Sequence, residues 1–210
     1  MEEESLSKLK TFIEENKGKR KFTQSVELAV NFKGIDFTKQ DNRLNLEVKL
    51  PYGKGRDSKA IVFADDTKLA EKATAAGARV IPSSQLQSLS SNKAQMTDLL
   101  NYELVAQPSM MPQIAKSLGQ FLGPKNKIPR PLIGEDVSAV ISNISKSIYL
   151  RSKGKYLPTI HCLVGTEGMK PEDISSNIDE VINALAKKVG KANIKSAYVK
   201  LTMSKPLRII

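Results

Sequence analysis

The side chains best suited to nucleophilic chemistry in this sequence are two neighbours. His161 is the one histidine and Cys162 the one cysteine among 210 residues. They fall in an apolar run typical of a β-strand, where consecutive side chains point to opposite faces and cannot hydrogen-bond to each other. One histidine and one cysteine also fall short of the grouped ligands of a usual metal site. We therefore expect no catalytic pair and no metal here.

Two carboxylates, Asp65 and Asp66, follow the apolar run at residues 60–64. α/β enzymes often place a ligand-binding carboxylate directly after a buried strand, so a nucleotide-dependent enzyme is one interpretation. The other is a helix cap, because a carboxylate accepts hydrogen bonds from the first N–H groups of a helix. The sequence has neither a Walker loop nor a GxGxxG turn. We favour the cap, and predict a protein that is not an enzyme and needs no cofactor.

A basic loop behind an apolar helix is the third candidate. Residues 118–130 read LGQFLGPKNKIPR, with two glycines and two prolines around three cations. The prolines stiffen the loop. We predict that Lys125, Lys127 and Arg130 point outward and form a secondary basic surface.

The charge of the whole chain also indicates a polyanionic partner. The formal net charge is +11 and the pI is near 9.6, an excess that attracts polyanions. Residues 1–57 and 148–210 together carry 23 basic and 15 acidic side chains, a net +8, whereas residues 58–147 carry 10 and 7, a net +3. We therefore expect the polyanion site on the terminal segments. The charge by itself fits both nucleic acid and an acidic membrane surface.

A membrane partner is disfavoured by the apolar pattern. No run of ~18 apolar residues could span a bilayer, and the start, MEEES, is acidic where a secretory signal is basic. The positive charge also does not follow one strongly amphipathic helix, as a membrane-surface protein would require. A single cysteine forms no internal disulfide and suits a reducing compartment. We expect a cytoplasmic protein.

The elements that must position these side chains differ between the ends and the middle of the chain. At the N-terminal end, apolar spacing predicts a helix over 5–17 with Ser5 as its cap. Alternating apolar and polar residues predict strands over 26–33 and 44–50, which we expect to pair as a long hairpin. The same style predicts further elements near the C-terminus: strands over 147–151, 159–164 and 195–202, and a helix over 171–189.

The middle of the chain has a different pattern. Residues 60–64 are continuously apolar, as in a parallel strand that is buried on both faces. The next strands alternate with helices, which is typical of βαβ units. The sequence thus predicts an α/β fold with two domains. A split α+β domain comes from both termini, residues 1–57 and 148–210, and a Rossmann-like, three-layer α/β domain is inserted at residues 58–147.

The chain passes twice between the predicted domains, near residues 55–58 and 147–149. Two parallel connections allow opening about one axis. We expect Gly53 and Gly55 to absorb the change in backbone angles at such a hinge, because glycine accepts many conformations.

Five ordered motifs carry a resemblance to one family. The loop at 118–130 is the most specific of them. Phe22–Glu27 resembles a Phe-x-x-(Thr/Ser)-Val-Glu strand start, and residues 50–55 resemble a Leu-Pro-x-Gly-x-Gly crossover. Residues 160–165 resemble Ile-His-x-x-Val-Gly, and residues 198–203 end in Thr-Met. Together they span essentially the whole chain, which is identified as a member of the L-one family of ribosomal proteins, with a short N-terminus similar to the archaeal branch.

The resemblance implies a place in the large, 50S-type ribosomal subunit. The split domain would be the principal reader of ribosomal RNA at the base of the mobile stalk, beside the exit site, where the protein would help to release deacylated tRNA. The protein would also repress translation by binding a similar motif on its own messenger RNA. Matched position by position, the family's RNA-binding residues are Phe22, Ser25, Glu27, Arg151, Lys153, Thr202, Met203 and Ser204.

The residue types suit RNA. Lysine and arginine bind phosphates, hydroxyls fix register, and Phe22 and Met203 would lie on sugar or base surfaces, although Phe22 could equally enter the core. Glu27 would accept a hydrogen bond from a ribose hydroxyl or a base amine. Two positions depart from the family pattern, where glycine is usual: Ser204, where glycine would allow closer approach, and Asn126, a residue type that tolerates the left-handed conformation.

Overall fold

The computed structural model describes residues 3–56, 59–132, 136–152 and 157–210. Its helices are α1 (Glu3–Asn16), α2 (Thr67–Ala75), α3 (Leu86–Ser91), α4 (Lys93–Leu99), α5 (Met111–Leu122), α6 (Val137–Lys146) and α7 (Pro171–Val189). Its strands are β1 (Ser25–Phe32), β2 (Asn45–Lys49), β3 (Ala60–Phe63), β4 (Arg79–Ile81), β5 (Glu103–Ala106), β6 (Arg130–Pro131), β7 (Ser147–Arg151), β8 (Thr159–Thr166), β9 (Ile194–Leu201) and β10 (Leu207–Arg208). The chain divides into two compact units, Met1–Arg56 with Lys146–Ile210, and Asp57–Ser145.

The first unit is built on a four-stranded antiparallel sheet with the order β10-β9-β1-β8. The apolar side chains of β1 alternate with polar ones, so one face of the strand is buried, as the sequence predicted. That face packs with apolar side chains of α1 and α7 in a single core, whose central members include Leu9, Ile13, Leu28, Val30, Ile178 and Val181. The opposite face of β1 is at least partly open to solvent along the strand.

The predicted hairpin between the first two strands is wrong. β1 lies between β8 and β9, and β2 pairs with β7 in a separate two-stranded antiparallel sheet, where Val48 faces Ile148. Alternation of apolar and polar residues specifies the buried face of a strand but not its neighbour. Both edges of β1 are occupied by strands from the C-terminal part of the chain.

Helix α1 begins earlier than predicted. Glu3 is already helical, so Ser5 lies inside the helix and is not its cap. The Ser5 hydroxyl instead donates a long hydrogen bond of 3.5 Å to the carbonyl of Ile209. This contact links the beginning of the described chain to its last residues.

The second unit is built on a parallel sheet with the order β4-β3-β5-β6. All four residues of β3 are buried, as the continuous apolar run predicted. Ile61 and Phe63 pack with side chains of α3, α4 and α5, whereas Ala60 and Val62 pack with side chains of α2 and α6. Helices therefore cover both faces of this sheet, and the prediction of a mixed α/β fold is confirmed.

A β-bulge interrupts the pairing of β1 with β8 in the first unit. Val26 lies opposite Gly165 and Glu27 lies opposite Leu163, so Val164 has no opposing residue on β1. A bulge leaves a backbone group out of the regular ladder and bends the strand. The bulged residue is on β8, opposite the start of β1, where the family motif Phe22–Glu27 lies.

Asn177 of α7 fills the gap in hydrogen bonding that the bulge creates. Its side chain is fully buried, and its Nδ2 donates to the Val164 carbonyl at 2.8 Å and to the Gly53 carbonyl at 2.9 Å. Its Oδ1 accepts from the Tyr52 N–H at 3.1 Å. One amide therefore joins α7, the bulge and the crossover at residues 50–55.

The same crossover contains two glycines in the left-handed conformation. Gly53 and Gly55 have left-handed φ angles of 68° and 70°. A Cβ atom on Gly55 would lie 2.5 Å from the Met169 sulfur and 2.6 Å from Thr166 Oγ1, and the Thr166 hydroxyl donates to the Gly55 carbonyl at 3.2 Å. These contacts hold the turn against β8 and the segment that follows it, within the first unit. The role of the two glycines in a hinge stays a prediction.

Candidate nucleic-acid interface

The start of β1 and the end of β9 are locked together at one end of the sheet. The Ser25 N–H donates to Thr202 Oγ1 at 3.1 Å, and the Thr202 N–H donates to the Ser25 carbonyl at 3.1 Å. Thr202 is exposed and Ser25 is half-buried. Two residues predicted for RNA binding, far apart in sequence, are therefore joined in one corner by two hydrogen bonds.

A tight turn follows this corner at residues 201–204. The Ser204 N–H donates to the Leu201 carbonyl at 3.1 Å, and Ser204 Oγ accepts from the Leu201 N–H at 2.9 Å. Among the described residues, the single non-glycine residue with a positive φ is Asn126, so Ser204 does not adopt a left-handed conformation. Serine is therefore accommodated where the family usually has glycine, and its hydroxyl closes the turn.

Two large apolar side chains of the predicted set are open to solvent. Phe22 is 50% exposed and Met203 is 57% exposed. The alternative that Phe22 enters the core is thus wrong. Exposed apolar surface beside hydrogen-bonding groups can stack against the bases or sugars of a nucleic acid.

Gln24, which lies between Phe22 and Ser25, was not predicted as a site residue. Its side chain is only 2% exposed. Its Oε1 accepts from the Met203 N–H at 3.1 Å, and its Nε2 donates to Glu167 Oε2 at 3.0 Å and to the Asn16 carbonyl at 3.1 Å. The family motif leaves this position unspecified, so the motif predicts no role for it.

A groove with two cations lies next to Met203. It encloses about 410 Å³ and is lined by Asn16, Lys19, Arg20, Gln24 and Met203. Lys19 and Arg20 are exposed. They were not among the predicted site residues, although the run KGKRK at 17–21 is a strong local signal for a phosphate-binding segment.

Glu27 and Lys200 place opposite charges side by side next to the corner. Glu27 is exposed on β1 and lies directly opposite Lys200 on β9. Cross-strand neighbours of opposite sign attract each other. The lysine offsets the repulsion that the Glu27 carboxylate would exert on a polyanion, and the carboxylate stays available as an acceptor.

Arg151 belongs to a different sheet from the corner. It lies on β7, where its Nε donates to Asn45 Oδ1 at 2.9 Å and its guanidinium lies 4.8 Å from the centre of the Tyr149 ring. The structure does not join it to Ser25 or Thr202. Lys153 lies outside the described residues.

The basic loop of the second unit differs from its prediction. Lys125 is exposed and its ammonium lies 4.4 Å from the centre of the Phe121 ring. Lys127 folds back, donating to the Tyr102 carbonyl at 3.0 Å and lying 3.5 Å from Glu103 Oε1. Arg130 is half-buried within β6. The prediction that all three cations point outward is wrong for Lys127 and Arg130. Lys127 binds partly buried acceptors nearby, and the backbone of Arg130 is held by the pairing of β6 with β5.

The carboxylates that suggested an enzyme have structural partners. Asp66 caps α2, with its side chain accepting from the Lys68 N–H at 2.9 Å. Asp65 Oδ1 accepts from the Ser83 N–H at 2.7 Å. The helix-cap interpretation is therefore confirmed for Asp66, and Asp65 joins the ends of two strands.

The His161–Cys162 pair does not form a catalytic unit. His161 is exposed and Cys162 is buried on the opposite face of β8. Burial, and secondarily the charge of Glu27, raises the pKa of the Cys162 thiol to about 12, so the reactive thiolate is scarce at neutral pH. Within the described ranges, no three His, Cys, Asp or Glu side chains group as metal ligands, and no helix is long and apolar enough to cross a bilayer.

Comparisons with known proteins agree on one family. The model of the Ribosomal protein L1p/L10e family matches residues 9–205. The chain is 39% identical to the large ribosomal subunit protein uL1 of Pyrococcus abyssi over 196 residues, covering 90% of this chain and 88% of the relative. It is 39% identical to that of Thermoplasma acidophilum over 202 residues, with 94% and 92% covered, and 40% identical to that of Methanocella arvoryzae over 199 residues, with 91% and 92% covered.

These three relatives are archaeal, which agrees with the resemblance to the archaeal branch. The family match spans nearly all of the described chain, including both segments that form the Ser25–Thr202 corner. The chain belongs to the ribosomal protein L1p/L10e family.

Proposed function

We propose that the protein is a constituent of the large ribosomal subunit and binds ribosomal RNA through its first unit. The corner of Ser25 and Thr202, with Phe22 and Met203 exposed beside it, is the observation that carries this proposal. The corner holds polar donors and acceptors in fixed positions next to apolar surface. This combination suits the bases, sugars and 2′-hydroxyls of folded RNA better than it suits a small substrate.

The distribution of charge supports the same unit. Met1–Arg56 and Lys146–Ile210 together carry 24 basic and 14 acidic side chains, a net +10, whereas Asp57–Ser145 carries 9 and 8, a net +1. Phosphate binding is driven by the positive charge and the release of counterions. The first unit therefore has nearly all of the net charge that can attract RNA.

Finer parts of the proposal rest on family resemblance and on the names of the relatives. Residues 1–57 and 148–210 would form the RNA-binding domain I, and residues 58–147 an inserted, Rossmann-like domain II. The protein would lie at the base of the mobile stalk, contact tRNA at the exit site and assist its release. It would also repress translation by binding its own messenger RNA, and it would act in the cytoplasm on ribosomes.

Footprinting of the full-length protein on total ribosomal RNA tests the proposal directly. We expect protection of one region of the large-subunit RNA, at a salt concentration that removes binding to an unrelated hairpin. No protection beyond that on the unrelated hairpin would refute the proposal.

Substitutions then test which side chains read the RNA. Met203→Ala or Thr202→Ala is expected to reduce the preference for the protected fragment about tenfold without changing the salt dependence, because neither residue is charged. Arg20→Gln is expected to weaken binding to both RNAs and to lower the slope of log affinity against log salt by about one if it meets a phosphate. The matched controls are Ile128→Ala, a comparably exposed apolar residue, and Lys116→Gln, an exposed cation of the second unit. The role assignment fails if Met203→Ala behaves like Ile128→Ala.

A further inference from the structure

The turn that carries Met203 extends beyond the end of β9, so its position is not set by the sheet alone. Thr202 is held by its two hydrogen bonds with Ser25. The Met203 N–H is held by the side chain of Gln24, at 3.1 Å from its Oε1. The orientation of the Gln24 amide therefore affects the position of the Met203 backbone, from which the exposed side chain extends.

The Gln24 amide is oriented by what surrounds its other end. Its Nε2 donates to Glu167 Oε2 at 3.0 Å and to the carbonyl of Asn16 at 3.1 Å. A carboxylate and a carbonyl are acceptors only, so they require the NH₂ group on their side. The carbonyl end of the amide must then face Met203, and a flipped amide would lose all three hydrogen bonds.

Glu167 is itself fixed beside Gln24. It is only 7% exposed, and its N–H donates to the Gln24 carbonyl at 3.0 Å. A hydrogen bond to a buried carboxylate is stronger than one to a neutral acceptor, and it polarises the amide that donates it. Glu167, Gln24 and the Met203 backbone thus form a chain of hydrogen bonds that runs from the interior to the exposed turn.

We infer that Gln24 is a positioning residue for RNA specificity, held in orientation by Glu167, and that it acts by fixing the backbone of Met203. This inference rests on the proposed function, because it concerns how the same interface selects its RNA. Gln24 contributes no charge and almost no exposed surface. Its loss is therefore expected to reduce discrimination between RNAs and to leave the salt dependence of binding unchanged.

An exchange of the two side chains tests the inference in the full-length protein. Gln24→Glu keeps the shape but places a second carboxylate against Glu167, so the donor is lost and like charges meet. We expect the preference for the footprinted fragment over an unrelated hairpin to fall about tenfold. Adding Glu167→Gln restores a donor and an acceptor between the two positions with reversed polarity. It is expected to recover part of the preference, because the Asn16 carbonyl still lacks the donor that Gln24 supplied.

Gln120→Glu is the control for the added negative charge, because Gln120 is exposed on α5. It is expected to bind both RNAs slightly less well with an unchanged ratio. Unfolding temperatures are measured for every variant, and binding is measured well below them. A loss of fold alone would weaken both RNAs together, whereas a positioning role lowers the ratio.

A measurement without RNA separates this inference from the proposed function. The amide proton of Met203, followed by NMR, is expected to exchange with solvent at least tenfold faster in Gln24→Glu and to return toward its original rate in the exchanged pair. If Gln24→Glu does not fold, Gln24→Met with Glu167→Leu replaces both polar partners by apolar groups of similar shape, which proteins tolerate better. The same loss of preference and the same fast exchange are expected there.

The possible results distinguish a failure of the positioning role of Gln24 from a failure of the proposed function. Unchanged RNA preference in the Gln24 variants, or no recovery in the exchanged pair, overturns the inference while the proposed function stands. If the unaltered protein does not distinguish the ribosomal fragment from the hairpin, the proposed function fails, and unchanged exchange at Met203 would then overturn the positioning role as well.

Discussion

Replacing Asn177 by aspartate exchanges one NH₂ group for an oxygen and keeps the size of the side chain. In the protein as it stands, that NH₂ donates to the carbonyls of Val164 and Gly53 at 2.8 and 2.9 Å, in a fully buried position. The variant retains the acceptor for the Tyr52 N–H. It therefore removes two donors from two buried carbonyls and brings a carboxylate oxygen close to both.

The expected cost follows from these contacts. A buried polar group that loses its partner costs ~1–3 kcal/mol, so two carbonyls lower the free energy of unfolding of the first unit by roughly 4 kcal/mol. The variant carboxyl is fully buried and faces two carbonyl oxygens against one N–H donor, so its pKa in the folded protein is expected to lie above that in the unfolded chain. The folded state then binds more protons, and the penalty grows as the pH rises above the unfolded-state pKa and shrinks on acidification.

Hydrogen exchange of β1 amides, measured across a urea series at pH 7 and at pH 5, tests both the size of the loss in unfolding free energy and its dependence on pH. The amides of β3 in the second unit, which has separate cores, serve as an internal reference. Asn45→Asp is the matched control, because Asn45 is exposed and its side-chain oxygen accepts from Arg151, a role that aspartate keeps. Its effect is expected within about 0.5 kcal/mol. A loss below about 1 kcal/mol for Asn177→Asp would refute the reasoning.

Three further predictions concern the first unit. Gly18 and Gly55 both have φ of 70°, but of the two only Gly55 has other atoms within 4 Å of an added Cβ atom. Gly55→Ala is therefore expected to lower the free energy of unfolding in urea by about 1–3 kcal/mol more than Gly18→Ala. Equal losses would contradict the steric argument. With its pKa raised to about 12, buried Cys162 is expected to react with a thiol reagent at pH 8 only after urea unfolds the unit. The hydrogen bond and charge of Lys8 lower the pKa of Glu4. This pair therefore stabilises the fold above the unfolded-state pKa of Glu4, and the stabilisation is lost as the pH falls. Lys8→Met is expected to raise the pKa of Glu4 in an NMR titration.

The sequence predicted which strands exist more reliably than how they pair. The alternation from Val26 to Phe32 specifies a half-buried strand, and the structure confirms it. The neighbours of that strand in the sheet are β8 and β9. They are distant in sequence, and no pattern in them indicates that they pair with β1. A local pattern predicts which face of a strand is buried, whereas the pairing of strands depends on the packing of the whole core.

The candidate site shows the same division. Family motifs led to Ser25, Thr202 and Met203, which the structure places at one corner. They did not lead to Gln24 or Glu167, because a glutamine or glutamate is usually a surface residue and nothing local distinguishes a buried one. Gln24 and Glu167 are hydrogen-bonded to each other although they are 143 positions apart in the sequence. Their burial therefore depends on a long-range contact that no local pattern predicts.

The basic loop shows both a success and a failure of local reasoning. Asn126 was expected to tolerate a left-handed backbone, and its φ is 54°. The direction of Lys127 was not accessible, because composition predicts that a lysine prefers solvent but not that a carbonyl of Tyr102 lies within its reach.

The central position of β1 has a consequence for the order in which the chain folds during its own synthesis. Both neighbours of β1 come from the C-terminal part of the chain, so the nascent strand has two unpaired edges until β8 and β9 emerge. The residues of the second unit are contiguous and emerge earlier, so they can settle first. The corner at Ser25 forms only after Thr202 has been added. A chain whose translation stops before that point therefore lacks the corner.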